Sequence, residues 1–480
     1  MTRKPKLMLF SHISHSQSIT GAEKLLLRFC QEMSFYFRCV LVVPSEGLIS
    51  SLARKNGIRV KVQSYELLHT IYTPYEGLRH EADRLMHTPS SHAVIRLLQK
   101  ESPQIVLTNT CVNAVPAMAA RMLNIPVIWK ITETITMNAY TGESIKIMDE
   151  FSNWVIGISQ TVFEPLQGGN ISAKSTVLSP TWDASLAAIH QWNDLRATRR
   201  SMIGLSPEHF CIGYISTFIY DAKGLLPFVR SALSLCESYP HSRFWIIGNP
   251  VDEVYYNECV RMIAESRYRH QFIFTPFLEQ VSEAYCAMDL TVVPSMVKEG
   301  FGMTALESLY FGTPVVAFGQ GGLQEMMEAV GNSHLLAEPG SVEELASRMA
   351  VCIQNPEETA RTGERSKSAA EQLYGAEAYK NRAEEMIRNL MSRFPDWFGT
   401  PSACLRTHAK KRKPAKSKKK IIHQRKKKST SARLRKTVKK SRNTMKIKPI
   451  KTKPMKKNKR KQTRSAMKPL RSQKKRKLTS

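Results

Sequence analysis

The chain has 480 residues, 42% of them hydrophobic, with 71 Lys and Arg against 40 Asp and Glu for a formal charge of +31. That length suits two or three domains with real cores and excludes a single small fold. The charge is uneven: 35 of the basic residues and no acid lie in 401–480, leaving 36 basic against 40 acidic residues, or −4, before them.

Residues 6–12 read as a first strand, and the Ser- and His-rich loop from Ser14 to Thr20 leads through Gly21-Ala22-Glu23-Lys24 into a helix marked by Leu25, Leu26, Phe29 and Met33. β-Rich and helical runs then alternate: strand 39–43, helix 48–56, strand 58–62, helix 91–101, strand 105–108, helix 113–123, strand 127–131 and strand 155–158. Such alternation predicts a parallel, doubly wound sheet. Residues 64–90, with scattered His, Tyr and Pro, are the least regular part. Ser159-Gln160-Thr161 follows a strand and supplies a serine helix cap.

Near 180–200 the pattern breaks, and an interdomain hinge is expected there. A second alternating set follows: strand 210–216, helix 224–236, strand 244–247, helix 255–266, strand 272–275, helix 280–287 and strand 290–293. Between the first of these strands and its helix stands Lys223-Gly224. Taken alone, a lysine before glycine is an ordinary helix-start pair.

Pro294 ends the strand 290–293, the loop Glu299-Gly300-Phe301-Gly302 follows, and helix 303–311 is closed by Gly312-Thr313-Pro314. A strand, a glycine turn and a helix N-terminus form an anion site, because the first N–H groups of the helix lack internal partners and its dipole is positive there. Glu299 and Glu307 flank that site. Carboxylates beside a phosphate suit neutral hydroxyls, as on a ribose or a hexose. The glycine turn Gly319-Gln320-Gly321-Gly322 opens a further helix at the same strand ends, helix 342–353 follows Pro339-Gly340-Ser341, and helices over 357–391 complete the fold.

Glu299 and Glu307 around Gly-Phe-Gly, followed by Gly-Thr-Pro-Val-Val-Ala and Gly-Gly-Leu-Gln-Glu, resemble the signature of the retaining glycosyltransferases of family 4. An ordinary βα turn with exposed glutamates is the plainer alternative. The resemblance covers roughly residues 6–391 and implies the GT-B fold: two Rossmann-like doubly wound α/β domains facing across a cleft. The expected boundaries are 1–190 for the acceptor-side domain, 191–375 for the nucleotide-sugar domain, 376–397 for a helix crossing back, and 398–480 for a disordered basic tail.

The resemblance also implies roles. Glu307 holds the donor ribose, Glu299 faces the transferred sugar, and Lys223 meets the diphosphate. Backbone at Gly302, Met303 and Thr304 meets phosphate or sugar oxygens, and Gly21 lets backbone approach the phosphates from the other domain. For Gly21 a plain βα turn explains the residue equally well. The acceptor belongs to the first domain, which makes 64–90 a candidate for acceptor choice, although an undistinguished surface excursion accounts for it as well. Two departures stand out. Many family members have a histidine near Trp129-Lys130-Ile131-Thr132-Glu133, and none stands here; Thr217 and Phe218 occupy the positions expected of a second, arginine cation. Losing one charge-assisted phosphate contact costs about 1.5–3 kcal/mol. No cofactor and no metal are implied; a nucleoside diphosphate sugar is the donor substrate.

The nine cysteines show no Cys-x-x-Cys pairing and point to buried thiols rather than a zinc site or disulfides. The apolar run after Lys6 is too short for a signal peptide, and no window approaches the roughly eighteen apolar residues of a membrane span. A cytoplasmic protein is expected, with peripheral attachment to a membrane or surface assembly left open. Residues 401–480 have no aromatic residue and no acid. Such a polycation cannot bury enough apolar surface to fold, binds polyanions by counterion release, and has no platform for stacking bases. Nucleic acid, anionic lipid or a wall polymer are its candidate partners, and a solubilising tail without a partner is the alternative.

The resulting expectation is a metal-independent retaining hexosyltransferase-like enzyme with a glycan, cell-surface polymer, lipid or protein as acceptor. Two rivals remain: a weak or inactive GT-B protein serving as a binding or structural part of a polyanionic assembly, and a nucleic-acid-binding protein.

Overall fold

The computed structural model describes residues 4–16, 19–167, 169–182, 192–276, 278 and 281–398; the expected tail and Cys404 lie outside them. The first sheet is built from β1 (Lys6–Phe10), β2 (Arg38–Val43), β3 (Arg59–Val62), β4 (Ile105–Asn109), β5 (Val127–Ile131), β6 (Trp154–Gly157) and β7 (Ser175–Val177). All seven run parallel in the order β3-β2-β1-β4-β5-β6-β7. β1, β4, β5 and β6 are buried along their whole length, as a parallel strand covered on both faces must be. The covering helices are α1 (Gly21–Met33), α2 (Leu48–Lys55), α3 (Leu78–Met86), α4 (Pro89–Glu101), α5 (Ala114–Met122) and α6 (Thr141–Phe151).

The second lobe opens with α7 (Trp192–Met202) and β8 (Phe210–Ile219), then α8 (Leu225–Leu235), β9 (Ser242–Pro250), α9 (Glu253–Glu265) and β10 (Phe272–Thr275). It continues with α10 (Ser282–Ala287), β11 (Leu290–Val293), α11 (Met303–Tyr310), β12 (Val315–Phe318), α12 (Gly321–Ala329), β13 (Leu336–Ala337), α13 (Val342–Gln354) and α14 (Pro356–Tyr374). Its six strands are parallel in the order β10-β9-β8-β11-β12-β13. In both sheets the order reverses beside the first strand, between β1 and β4 and between β8 and β11. Ligands of open α/β sheets bind in the crevice outside such a reversal.

α15 (Ala376–Arg393) returns to the first lobe. Its Tyr379, Met386, Ile387 and Leu390, with Trp397 and Phe398 just beyond, share one buried cluster with Leu7, Leu9, Leu26 and Phe29. Each large side chain of this kind contributes about 1.5–3 kcal/mol when buried. Phe394 and Trp397 stack with centroids 4.1 Å apart, and the Arg393 guanidinium lies over the Trp154 ring at 5.1 Å.

Three parts differ from the sequence expectation. Residues 64–90 are not featureless: they hold a 3-10 turn (His69–Ile71) and α3, which buries Leu78, Ala82 and Met86 one turn apart. The expected hinge is partly helix, since α7 packs on the second lobe through Arg196 and Arg200, both paired with Asp289 at 2.5 and 3.1 Å, while 183–191 lies outside the described residues. Arginines at helical spacing carry that packing, so no apolar stripe announced it. Finally, α10 begins at Ser282, with Val281 in a turn before it, while residue 280 of the expected helix lies outside the described residues.

Candidate active site

The loop after β11 is shaped by contacts to its neighbours. Met296 N donates to Ala222 O at 2.9 Å, and Gly322 N donates to Glu299 O at 2.8 Å. Gly302 has φ +92, a left-handed conformation open chiefly to glycine, and it starts α11 with no side-chain cap. The first N–H groups of α11 are therefore available to an anion. Gly321 and Gly322 let α12 pack directly on the backbone of Glu299 and Gly300, where a Cβ would collide. The second glycine turn thus buttresses the first loop.

Lys223 sits in a 3-10 turn (Asp221–Lys223) after β8, and its Nζ is 2.9 Å from Glu299 Oε1. Burial pushes the Glu299 carboxyl up, but the Lys223 charge and hydrogen bond, helped by Ser295, bring it below the usual carboxylate range. Burial likewise pulls Lys223 down, and Glu299, Tyr220 and Tyr72 more than restore it. Glu307 has a different pair of neighbours. Its Oε1 is 3.4 Å from Lys24 Nζ of the first lobe, and its Oε2 accepts a hydrogen bond from Tyr285 at 3.3 Å. Gly21, one turn before Lys24, would place a Cβ 3.9 Å from the Met303 side chain, so the starts of α1 and α11 face one another across the cleft. Thr20 and Glu23 form a capping box on α1, and burial raises the Glu23 carboxyl.

The structure therefore brings together Gly21, Lys223, Glu299, Gly302, Met303 and Glu307, with Thr304 in the first turn of α11. Thr304 O is a second acceptor within reach of the Tyr285 hydroxyl, at 3.2 Å. Sequence reasoning missed Lys24 and Tyr285. Lys24 had one signal, its place in the first turn of a helix that opens at a strand reversal.

On the first lobe, Lys130 is buried rather than cleft-facing; its Nζ lies 3.4 Å from Asn109 Oδ1, and burial pulls it down to about 8. Glu133 accepts from Cys111 N at 3.1 Å and Thr132 N at 3.2 Å, while burial raises its carboxyl. Burial, with His15, His69 and Lys130 nearby, lowers His12 to about 4. Tyr72, from the irregular excursion, is raised by burial and then by Cys111, Glu133 and Tyr220, with Lys223 opposing them. The excursion therefore reaches the cleft.

The lobes are also latched beside the site. Ser159 Oγ donates to Gly300 O at 2.6 Å and accepts from Val162 N at 3.3 Å, so the expected cap is also a tether. Glu325 of α12 accepts from the Gln160 and Thr161 N–H groups, each at 3.1 Å, and Lys298 pairs with Glu164 at 3.3 Å. A hollow of about 780 Å³ lies at the other ends of the second sheet's strands, near His209, Ser242, Asp289 and Pro314, away from all of these groups. Among the described residues, no group of three or more His, Cys, Asp or Glu side chains is arranged to hold a metal ion.

Two Rossmann-like lobes meeting at their strand reversals define the GT-B fold, and this chain has it. Solved structures agree: the chain superposes on Anabaena HepE in complex with UDP and glucose with a TM-score of 0.67 at 19% identity, covering 80% of this chain and 100% of that one. Sucrose-phosphate synthase from Thermosynechococcus elongatus gives 0.61 at 15% identity, covering 81% and 100%. Residues 209–355 match the family model described as glycosyl transferases group 1, so the second lobe carries the glycosyltransferase signature. The 2-deoxystreptamine glucosyltransferase of Streptomyces kanamyceticus is 31% identical over 147 residues, 30% of this chain and 36% of that protein. The D-inositol 3-phosphate glycosyltransferase of Corynebacterium efficiens is 31% identical over 197 residues, 39% of this chain and 45% of that protein. The matched region spans less than half the length of these curated relatives. Among the described residues no helix is long and apolar enough to cross a membrane.

Proposed function

We propose that the chain is a retaining glycosyltransferase that moves a hexose from a nucleoside diphosphate donor to an acceptor hydroxyl. The observation that carries this reading is the pairing of Glu299 with Lys223 and of Glu307 with Lys24 where two helix starts face each other in the GT-B cleft. Glu307 takes the ribose hydroxyls, Glu299 takes hydroxyls of the transferred sugar, and the N–H groups after Gly302 and the Lys223 ammonium take the diphosphate.

In the transfer step the bond from the sugar's anomeric carbon to the diphosphate oxygen breaks, and the acceptor oxygen bonds that carbon on the same face. The acceptor's proton passes to the departing diphosphate. Lys223 and the start of α11 stabilise the charge that develops there, so catalysis is electrostatic and positional, without a metal. Acceptor selection falls to the first lobe around His12, Tyr72 and Glu133. The residues 401–480, which carry 35 Lys and Arg, dock the enzyme on a polyanion, and its cellular place is cytoplasmic or peripheral to a surface assembly.

UDP-, GDP- and ADP-sugars titrated into the full-length protein, followed by assays for transfer or hydrolysis with and without EDTA, test the reading. Saturable binding and sugar release unaffected by EDTA are expected; release that needs a divalent ion would overturn the metal-free part. The missing histidine, with Lys130, Thr132 and Glu133 in that stretch instead, and Thr217 with Phe218 in place of the expected arginine, favour a second reading, a non-catalytic GT-B protein docked by its tail. Binding without turnover across that panel would select it. A protein lacking 401–480 should lose salt-sensitive polyanion binding, and a gel shift of DNA that survives the deletion would assign binding elsewhere.

A further inference from the structure

Lys24 belongs to the first lobe, yet its ammonium rests 3.4 Å from Glu307 Oε1 of the second. The side chain is 39% exposed and reaches over the start of α11, where Gly21 comes within 3.9 Å of Met303. Glu307 is therefore occupied twice in this structure, by Lys24 and by the Tyr285 hydroxyl. A vicinal diol approaching that carboxylate must displace a donor. The ammonium is the one free to swing, because Tyr285 is wholly buried. A lysine deprived of its carboxylate in a narrow cleft needs another anion close by, and a diphosphate seated at the start of α11 is one.

We infer that Lys24 is a diphosphate-binding residue contributed by the opposite lobe, released to the phosphates when the donor ribose takes Glu307. This rests on the nucleoside diphosphate reading above. The exchange is balanced in charge: each carboxylate trades an ammonium for neutral hydroxyls, and Lys24 and Lys223 both end on the diphosphate. It also explains how two lobes sense one ligand, since one cation comes from α1 and the other from the turn after β8. Glu23, in the same turn as Lys24, is held in its capping box by Thr20 N at 2.8 Å and stays out of the exchange.

The test compares binding of UDP, GDP and ADP, and of uridine, guanosine and adenosine, to full-length wild type, Lys24→Met and Lys24→Arg. With the base that wild type binds, Lys24→Met should lose about tenfold to hundredfold affinity for the diphosphate, the range for one charge-assisted hydrogen bond. Its nucleoside affinity should hold or rise, and Lys24→Arg should recover most of the diphosphate binding. Equal losses for nucleoside and diphosphate would make Lys24 a strut between lobes and overturn the inference, as would no loss for either. Wild type that binds none of the three diphosphates would bring down the donor reading itself, and this inference with it.

Discussion

Lys223 Nζ lies 2.9 Å from Glu299 Oε1, and the two side chains reach this contact from the ends of neighbouring strands, β8 and β11. The Glu299 carboxyl is depressed in the folded protein, so its contribution to stability is present above the unfolded value and lost as pH falls through the folded one. Without Lys223, burial would act with little opposition and push the carboxyl up. Lys223→Met should therefore unfold at a higher pH than wild type, as circular dichroism between about pH 3 and 6 would show. Its transfer rate should fall roughly 10²–10³-fold if the ammonium stabilises the leaving group. An acid midpoint identical to wild type would mean the pair does not form in solution.

Glu307→Ala separates binding from folding. The carboxylate is one-fifth exposed and its partners are a part-exposed lysine and a hydroxyl with a second acceptor, Thr304 O, at 3.2 Å. Melting temperature should barely change, while transfer drops below about one hundredth of wild type. Near-normal transfer would remove Glu307 from the donor site.

Lys130 gives a stability prediction with a defined sign. It is 3% exposed, and burial lowers it from 10.5 to about 8. The folded state then binds fewer protons than the unfolded state across that window, so stability rises with pH from about 8 to 10.5 and the penalty is constant below it. Lys130→Met keeps the stem and removes the charge, and should be more stable at neutral pH by as much as about 3 kcal/mol. The advantage should shrink as pH climbs through the window. A destabilised Lys130→Met at neutral pH would show that the ammonium's hydrogen bond to Asn109 and its attraction to the Glu133 charge outweigh its burial.

Gly300 sits hard against the other lobe: a Cβ there would run into the Thr132 carbonyl oxygen. Its φ is not left-handed, so Gly300→Ala acts through space alone. Overpacking of this kind costs about 1–3 kcal/mol, and the cheapest relief is to part the lobes. Small-angle scattering should show a larger radius of gyration and donor binding should weaken; an unchanged radius would mean the loop, rather than the lobes, absorbs the insertion.

Much of the fold was legible because parallel strands buried on both faces read as short apolar runs, as in 127–131 and 290–293, which coincide with β5 and β11. The second-lobe half of the site was equally open to reading, since Lys223, Glu299, Gly302 and Glu307 fall within one strand-turn-helix grammar. The first-lobe half was not. Lys24 acts through a partner 283 positions away, Tyr72 lies before α3 in a stretch of scattered His, Tyr and Pro, and Lys130, at the end of β5, turns inward. Local patterns carry no information about which lobe a side chain will meet.

The return of α15 makes the second lobe, in topological terms, an insertion within the first: chain enters it after 182 and leaves it before 376. One cut anywhere in 183–191 would leave two polypeptides still gripped together, because Tyr379, Met386 and Leu390 remain embedded beside β1 and α1. Producing the first lobe alone would instead need residues up to 182 spliced directly to 376–398, and a simple truncation at 375 would strip it of a wall.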